Sequence, residues 1–166
     1  MTFADLVAGD SIFVDANTFV YQFSAAPILG PPCNQLLQRI ENQDLLAFTS
    51  VHLLAEVAHK MMTIEANRVF GWPLAGMANR LRRHPVEVQQ LTTFRLCIDH
   101  VARSRIQVLT LPLSVLVDAT AISQQTGLLI NDALIVALMQ HQGLTRLASH
   151  DSDFDRVPGL ARYAPV

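Results

Sequence analysis

Lysine occurs once in this chain, at Lys60, and cysteine twice, at Cys33 and Cys97. The two cysteines lack metal-ligand spacing and are expected as reduced, buried thiols of a cytoplasmic protein. Charged residues are also sparse, 16% against 51% hydrophobic, which excludes a disordered chain. Yet no apolar run reaches the ~18 residues needed to cross a bilayer, so no membrane association is expected. No basic start leading to an apolar core and a cleavage site is present, so no secretory signal is expected. There is no GxxxxGK[ST] and no GxGxxG, which argues against nucleotide triphosphate hydrolysis. No repeat, low-complexity segment or linker interrupts the 166 residues, a length that suits one domain over 1–166.

The charge that is present is unevenly spread. Between Arg68 and Arg105 seven arginines face two acids, a local balance of +5; with −2 overall, the remainder of the chain stands at −7. A basic helical section on an acidic body is a possible nucleic-acid footprint, and a solvated helix face is the plainer reading.

Apolar periodicity orders the chain as strand and helices in alternation. Residues 1–10 read as a polar lead-in. A first strand, Ile12–Asp15, is followed by a helix to about Ser24. After Pro27–Pro32, Asn34 is expected to cap a helix carrying Leu36, Leu37 and Ile40. Leu45–Phe48 reads as strand two, and Thr49-Ser50 starts a long helix that stops near Gly71-Trp72-Pro73. A short helix then carries Arg80, Arg82 and Arg83 on its far face. Pro85 opens another, with Val88, Leu91, Phe94, Ile98 and Val101 inward. Ile106–Leu111 is strand three, and Ser114 is expected to cap the helix that follows. Asn131 or Asp132 starts a very apolar helix that ends at Gly143. Arg146–Ser149 is strand four, His150–Asp155 an acidic turn, and Leu160–Tyr163 a last strand. Strands alternating with helices predict an α/β fold with a central, mostly parallel sheet.

The acids fall at telling places. Asp15 follows strand one, Glu56 lies near the start of the helix after strand two, Asp132 opens the helix before strand four, and Asp151 and Asp153 follow strand four. In a parallel sheet these points share one end, where ligands of open α/β sheets bind. Carboxylates crowded together raise one another's pKa, and a hard divalent cation relieves the conflict. Oxygen ligands select Mg²⁺ or Mn²⁺, which activates water and steadies a phosphoryl oxygen; hydrolysis of a phosphodiester is the matching reaction. The helix starts at Thr49-Ser50 and Asn131-Asp132 add possible backbone donors for phosphate. Taken singly, each acid also suits a plainer role: Asp15 and Asp132 as caps, Glu56 as a solvated helix residue, and Asp151, Asp153 and Asp155 as an exposed turn. His150 adjoins the acids, and Trp72 offers either base stacking or packing at a hinge.

Four segments, FVDANTFVY (13–21), TSVHLLAEVAHKM (49–61), INDALIVALMQHQGL (130–144) and LASHDSDFDRVPGL (147–160), together resemble the PIN-domain ribonucleases, in particular the VapC-type toxins of prokaryotic toxin–antitoxin pairs. The resemblance implies a three-layer α/β/α domain with a helical arm at about 66–105. It implies Asp15, Glu56, Asp132 and Asp151 as the catalytic, metal-holding set, with Asp153 as a further metal ligand. Asn17, Ser149 and Thr49 are then expected to position substrate, and Arg80, Arg82 and Arg83 to grip RNA. The implied cofactor is Mg²⁺ or Mn²⁺, and the implied partners are an RNA substrate, a small antitoxin and a second copy of the chain. Ala16 stands where Thr or Ser is common in the family, and Asn131 where a small or aromatic residue is frequent; neither removes a ligand. The 66–105 extension leaves open a PIN-fold RNA-processing nuclease that is not a toxin. A non-catalytic RNA- or protein-binding module is the rival of another class.

Overall fold

The computed structural model describes residues 1–166. Five short strands form one parallel sheet: β1 (Ser11–Val14), β2 (Leu46–Ser50), β3 (Gln107–Leu109), β4 (Arg146–Ala148) and β5 (Ala161–Tyr163). Their order across the sheet is β3-β2-β1-β4-β5. The chain therefore moves outward from β1 to β3 in one direction, then returns to the far side of β1 and moves outward in the other. The reversal leaves a crevice outside the carboxyl ends of β1 and β4, the topological switch point of the sheet.

Parallel neighbours require crossovers, and helices supply them. The β1–β2 crossover holds α1 (Ala16–Phe23) and α2 (Gly30–Glu41). The β2–β3 crossover holds α3 (Val51–Phe70), α4 (Met77–Arg83), α5 (Pro85–Val88) and α6 (Thr93–Arg103). The β3–β4 crossover holds α7 (Leu113–Thr126) and α8 (Ile130–His141). α3 packs on both α1 and α6, whereas α7 and α8 pack chiefly on each other. Right-handed crossovers of opposite sense put the first group on one face and α7–α8 on the other, giving three layers, α/β/α. β1 is the apolar centre, with Ile12, Phe13 and Val14 fully buried. α8 buries every residue from Ala133 to Met139, as its near-continuous apolar sequence demands.

Several local expectations are corrected. The first ten residues are not simply a polar lead-in: Phe3 and Leu6 are buried, and Arg39 donates to both of their carbonyls while pairing with Asp44 at 2.6 Å. Asn34 lies inside α2, where its side chain accepts from Gln22; Pro31 and Pro32 fit the first turn, whose amide hydrogens need no helical partner. The single helix expected from Pro85 is two, α5 and α6. Glu65 of α3 accepts from Thr92 N and Thr93 N and so starts α6 afresh. Neither Ser114 nor Asn131 caps its helix; Pro112 and Leu129 stand at the N-cap positions with no side-chain bond. Strand three is shorter than Ile106–Leu111, and the last strand begins at Ala161 rather than Leu160.

The 66–105 section is mostly helical, formed by the end of α3 and by α4, α5 and α6. Ala66, Met77, Leu81 and Leu91 form a small second core on the far end of α3. Trp72 packs between Phe70 and His84, with centroids 4.9 Å from each. No single helix is long and apolar enough to cross a membrane.

Candidate active site

The site begins where β1 ends. Asp15 lies just beyond the strand, as the N-cap of α1. Register pairs Val14 with Ala148, so the next residues outward, Asp15 and Ser149, come side by side. Asp15 is 7% exposed and every oxygen is engaged. Its Oδ1 accepts from Ala16 N at 2.6 Å; its Oδ2 accepts from Asn17 Nδ2 at 2.6 Å and Ser149 Oγ at 2.7 Å. Ser149 Oγ in turn accepts from Asp151 N at 3.0 Å, and Asn17 Nδ2 also donates to Ser149 Oγ at 2.9 Å. One hydroxyl and one amide therefore link the acid after β1 to the acids after β4. Asn17 Oδ1 closes the ring by accepting from His150 N.

Burial dominates the electrostatics of Asp15, pushing its carboxyl up from 3.8 to about 6. The bonds from Ser149 and Ala16 oppose the rise, the charge of Glu56 adds to it, and Lys60 works against it. Asp132, half-buried in the first turn of α8, is also raised: first by burial, then by the charges of Asp151, Glu56 and Asp153, with Lys60 again opposing. Acids from α3, α8 and the turn after β4 thus share one field at the carboxyl end of the sheet. α3 leaves that end and α8 starts from it, which is why helices from opposite faces both reach it.

The acids share a field without closing into a cage. No three His, Cys, Asp or Glu side chains stand together in a ready-made chelate. Basic residues hold two of the five: Lys60 Nζ lies 2.6 Å from Glu56 Oε1, and Arg156 pairs with Asp153. The donor chemistry nevertheless suits a hard divalent cation. It is all oxygen, neighbouring carboxylates add to the rise of Asp15 and Asp132, and it already draws positive charge from the chain's own side chains. Asp15, Glu56, Asp132, Asp151 and Asp153, the carboxylates expected around such an ion, gather at this end of the sheet without forming a group of three placed to hold it. An open depression of about 390 Å³ beside them is lined by Asn17, Tyr21, His150, Asp151 and Ser152.

Asp155 does not join this group. Arg162 grips both of its oxygens at 2.8 Å and holds its carboxyl below the usual range, a structural tie to β5. Thr49, expected to position substrate, is fully buried in β2, and its hydroxyl donates to Val14 O at 3.0 Å. Ser149 is buried too, its hydroxyl donating to Asp15 and accepting from the Asp151 amide. Thr18, not singled out from sequence, donates to Ala148 O at the end of β4. His52 was likewise not singled out. Its Nδ1 lies 2.9 Å from Ser50 Oγ, its Nε2 is buried without a partner, and burial lowers its pKa while Glu56, one turn on, opposes. The four-residue spacing His52–Glu56–Lys60 was the available signal, since it stacks three ionisable groups on one helical face. Of the arginines, Arg82 and Arg83 are exposed, whereas Arg80 is half-buried with its Nε lacking a partner. A larger depression of about 600 Å³, lined by Glu41, Arg95, Asp99, His100 and Arg103, lies where α2 and α6 run into the amino ends of β2 and β3, at the opposite end of the sheet.

Comparison with solved structures finds the same fold. The chain is similar to the Mycobacterium tuberculosis toxin VapC20, which cleaves the sarcin–ricin loop: TM-score 0.61 and 17% identity over 87% of this chain and 92% of that one. It is similar to a chain of the Rickettsia felis VapBC2 complex bound to a promoter DNA fragment, with TM-score 0.57 and 18% identity over 93% and 98% of the two chains. A chain of a Klebsiella pneumoniae toxin–antitoxin complex gives TM-score 0.51 and 16% identity over 90% and 95%. No curated protein matches the sequence. The PIN domain family model matches residues 12–160, from the first residue buried in β1 to the turn before β5, and the chain belongs to the PIN domain family.

Proposed function

We propose that this protein is an endoribonuclease that requires Mg²⁺ or Mn²⁺, hydrolyses RNA phosphodiester bonds, and acts as the toxin of a toxin–antitoxin pair. The observation that carries the reading is the convergence of acids at the switch point of a parallel sheet: Asp132 is raised first by burial and then by Asp151, Glu56 and Asp153, and Asp15 chiefly by burial, with a smaller push from Glu56. Membership of the PIN family and the likeness in fold to VapC20 support it. A bound divalent ion supplies activation of water and neutralises charge on the phosphoryl oxygens.

The chain's own residues do the rest. Asp15, locked by Ala16 N, Asn17 and Ser149, presents a fixed carboxylate and loses no rotamer freedom on binding. Asp132 and Asp151 approach from the other side, and Glu56 from α3. The first turn of α8 offers backbone donors to a phosphate. Asn17 and His150, at the open depression, orient the strand. Arg82 and Arg83, with Arg80 behind them, hold the RNA backbone by charge. A small antitoxin is the expected partner, supported by the likeness to chains of toxin–antitoxin complexes. Self-association is supported by Leu113, Leu116 and Val117, an exposed apolar stripe at helical spacing on α7. Both fit a cytoplasmic protein.

The deciding experiment is cleavage of structured RNA in Mn²⁺ by wild type and Asp15→Asn. The variant is expected to fold and to lose cleavage; cutting at the wild-type rate refutes the role of Asp15. The ion pair Glu56–Lys60 favours a second reading, a non-catalytic RNA-binding module. That reading requires RNA retention in EDTA and no products after long incubation with Mn²⁺.

A further inference from the structure

We propose that Lys60 is a built-in counter-cation that occupies Glu56 and must be displaced before a divalent metal can use that carboxylate. The inference rests on the metal-dependent reading above and adds a residue to it.

Lys60 Nζ stands 2.6 Å from Glu56 Oε1, one helical turn along α3. That contact places a positive charge directly on one of the acids gathered at the carboxyl end of the sheet, and the same charge opposes the rise of Asp15 and Asp132 on other elements. It is the only lysine among twelve basic residues. The distinction matters chemically. An ammonium is a compact point charge, close in character to a small cation, whereas a guanidinium grips a carboxylate through a planar fork and yields it less readily. The pair is about half exposed, so water can escort the ammonium away. A lysine here keeps the acids compatible without metal and gives way when metal arrives.

The test is calorimetric titration of Mn²⁺ into the metal-free protein at low ionic strength, for wild type, Lys60→Met, Lys60→Arg and Arg95→Met. The last removes an exposed cation that faces Asp99 at the same four-residue spacing, away from the acids. Loss of an ordinary exposed helix pair would alter Mn²⁺ affinity by about twofold at most. Because Lys60 acts on three acids, Lys60→Met is expected to bind Mn²⁺ about fivefold more tightly, with the gap shrinking as salt rises. Lys60→Arg is expected to bind no more tightly than wild type, and Arg95→Met to match it. Metal-free Lys60→Met should also melt lower and gain more from Mn²⁺ in a thermal scan. Equal or weaker Mn²⁺ binding by Lys60→Met, with wild type still binding, overturns the role of Lys60 and leaves the metal reading standing. Absence of Mn²⁺ binding in every form overturns both.

Discussion

Asp15 combines near-complete burial with three hydrogen bonds, and the two pull its ionisation in opposite directions. Burial wins, and its carboxyl sits at about 6 when folded against an ordinary 3.8. A raised acid pKa means that the folded state binds more protons than the unfolded one between those values, so stability is full below pH ~4 and falls as pH rises through ~6. The loss amounts to roughly 3 kcal/mol by neutral pH. Urea denaturation in EDTA should therefore show Asp15→Asn gaining on wild type between pH 4 and pH 7, with the advantage vanishing at the acid end. Saturating Mn²⁺ should flatten the wild-type slope. A wild type whose metal-free stability rises over that interval, with Asp15→Asn following in parallel, would contradict the burial account.

At the level of elements, the start of α6 depends on a side chain from another helix. Glu65 of α3 accepts from Thr92 N at 3.1 Å and from Thr93 N at 2.9 Å, supplying the acceptor that Thr92 itself does not. Glu65→Ala should cost about 1 kcal/mol, the usual value of a lost helix cap. Amide exchange should accelerate first at residues 92–96. In α8, whose middle is wholly buried, Ile135→Ala should cost about 3 kcal/mol through lost transfer energy and a cavity. Denaturant midpoints test both, and the second should exceed the first clearly. The helix periods were legible in sequence because apolar residues recur at helical spacing; this cross-helix cap was not, since Glu65 and Thr92 lie 27 positions apart.

For the whole molecule, the uneven charge is the feature to probe. The section from Arg68 to Arg105 carries +5 while the acids gather at the carboxyl end of the sheet. Under the proposed function, Arg82→Ala/Arg83→Ala should weaken RNA binding without changing the cut position. The slope of log affinity against log salt should fall by about 1.4, two phosphate contacts on a single strand. Fluorescence anisotropy over a salt series measures it, and an unchanged slope would remove these arginines from the interface. Light scattering on Val117→Asp provides the matching test of self-association, since a charge within the α7 stripe should shift a dimer to monomer.

Alternating strand and helix periods, the acids just after β1 and β4 and the basic insertion were all determined by the order of residues, because burial and helical or extended spacing are local properties. Strand order was not. It depends on which apolar faces meet, and only the folded sheet brings β4 beside β1 so that Ser149 bonds Asp15 across 134 positions. The same folding separated acids of equal appearance: Asp155 went to Arg162, Asp153 to Arg156 and Glu56 to Lys60, while Asp15 was buried. Composition sets how many charges a chain carries; packing alone decides which of them meet, which are dried, and which remain open to a cation.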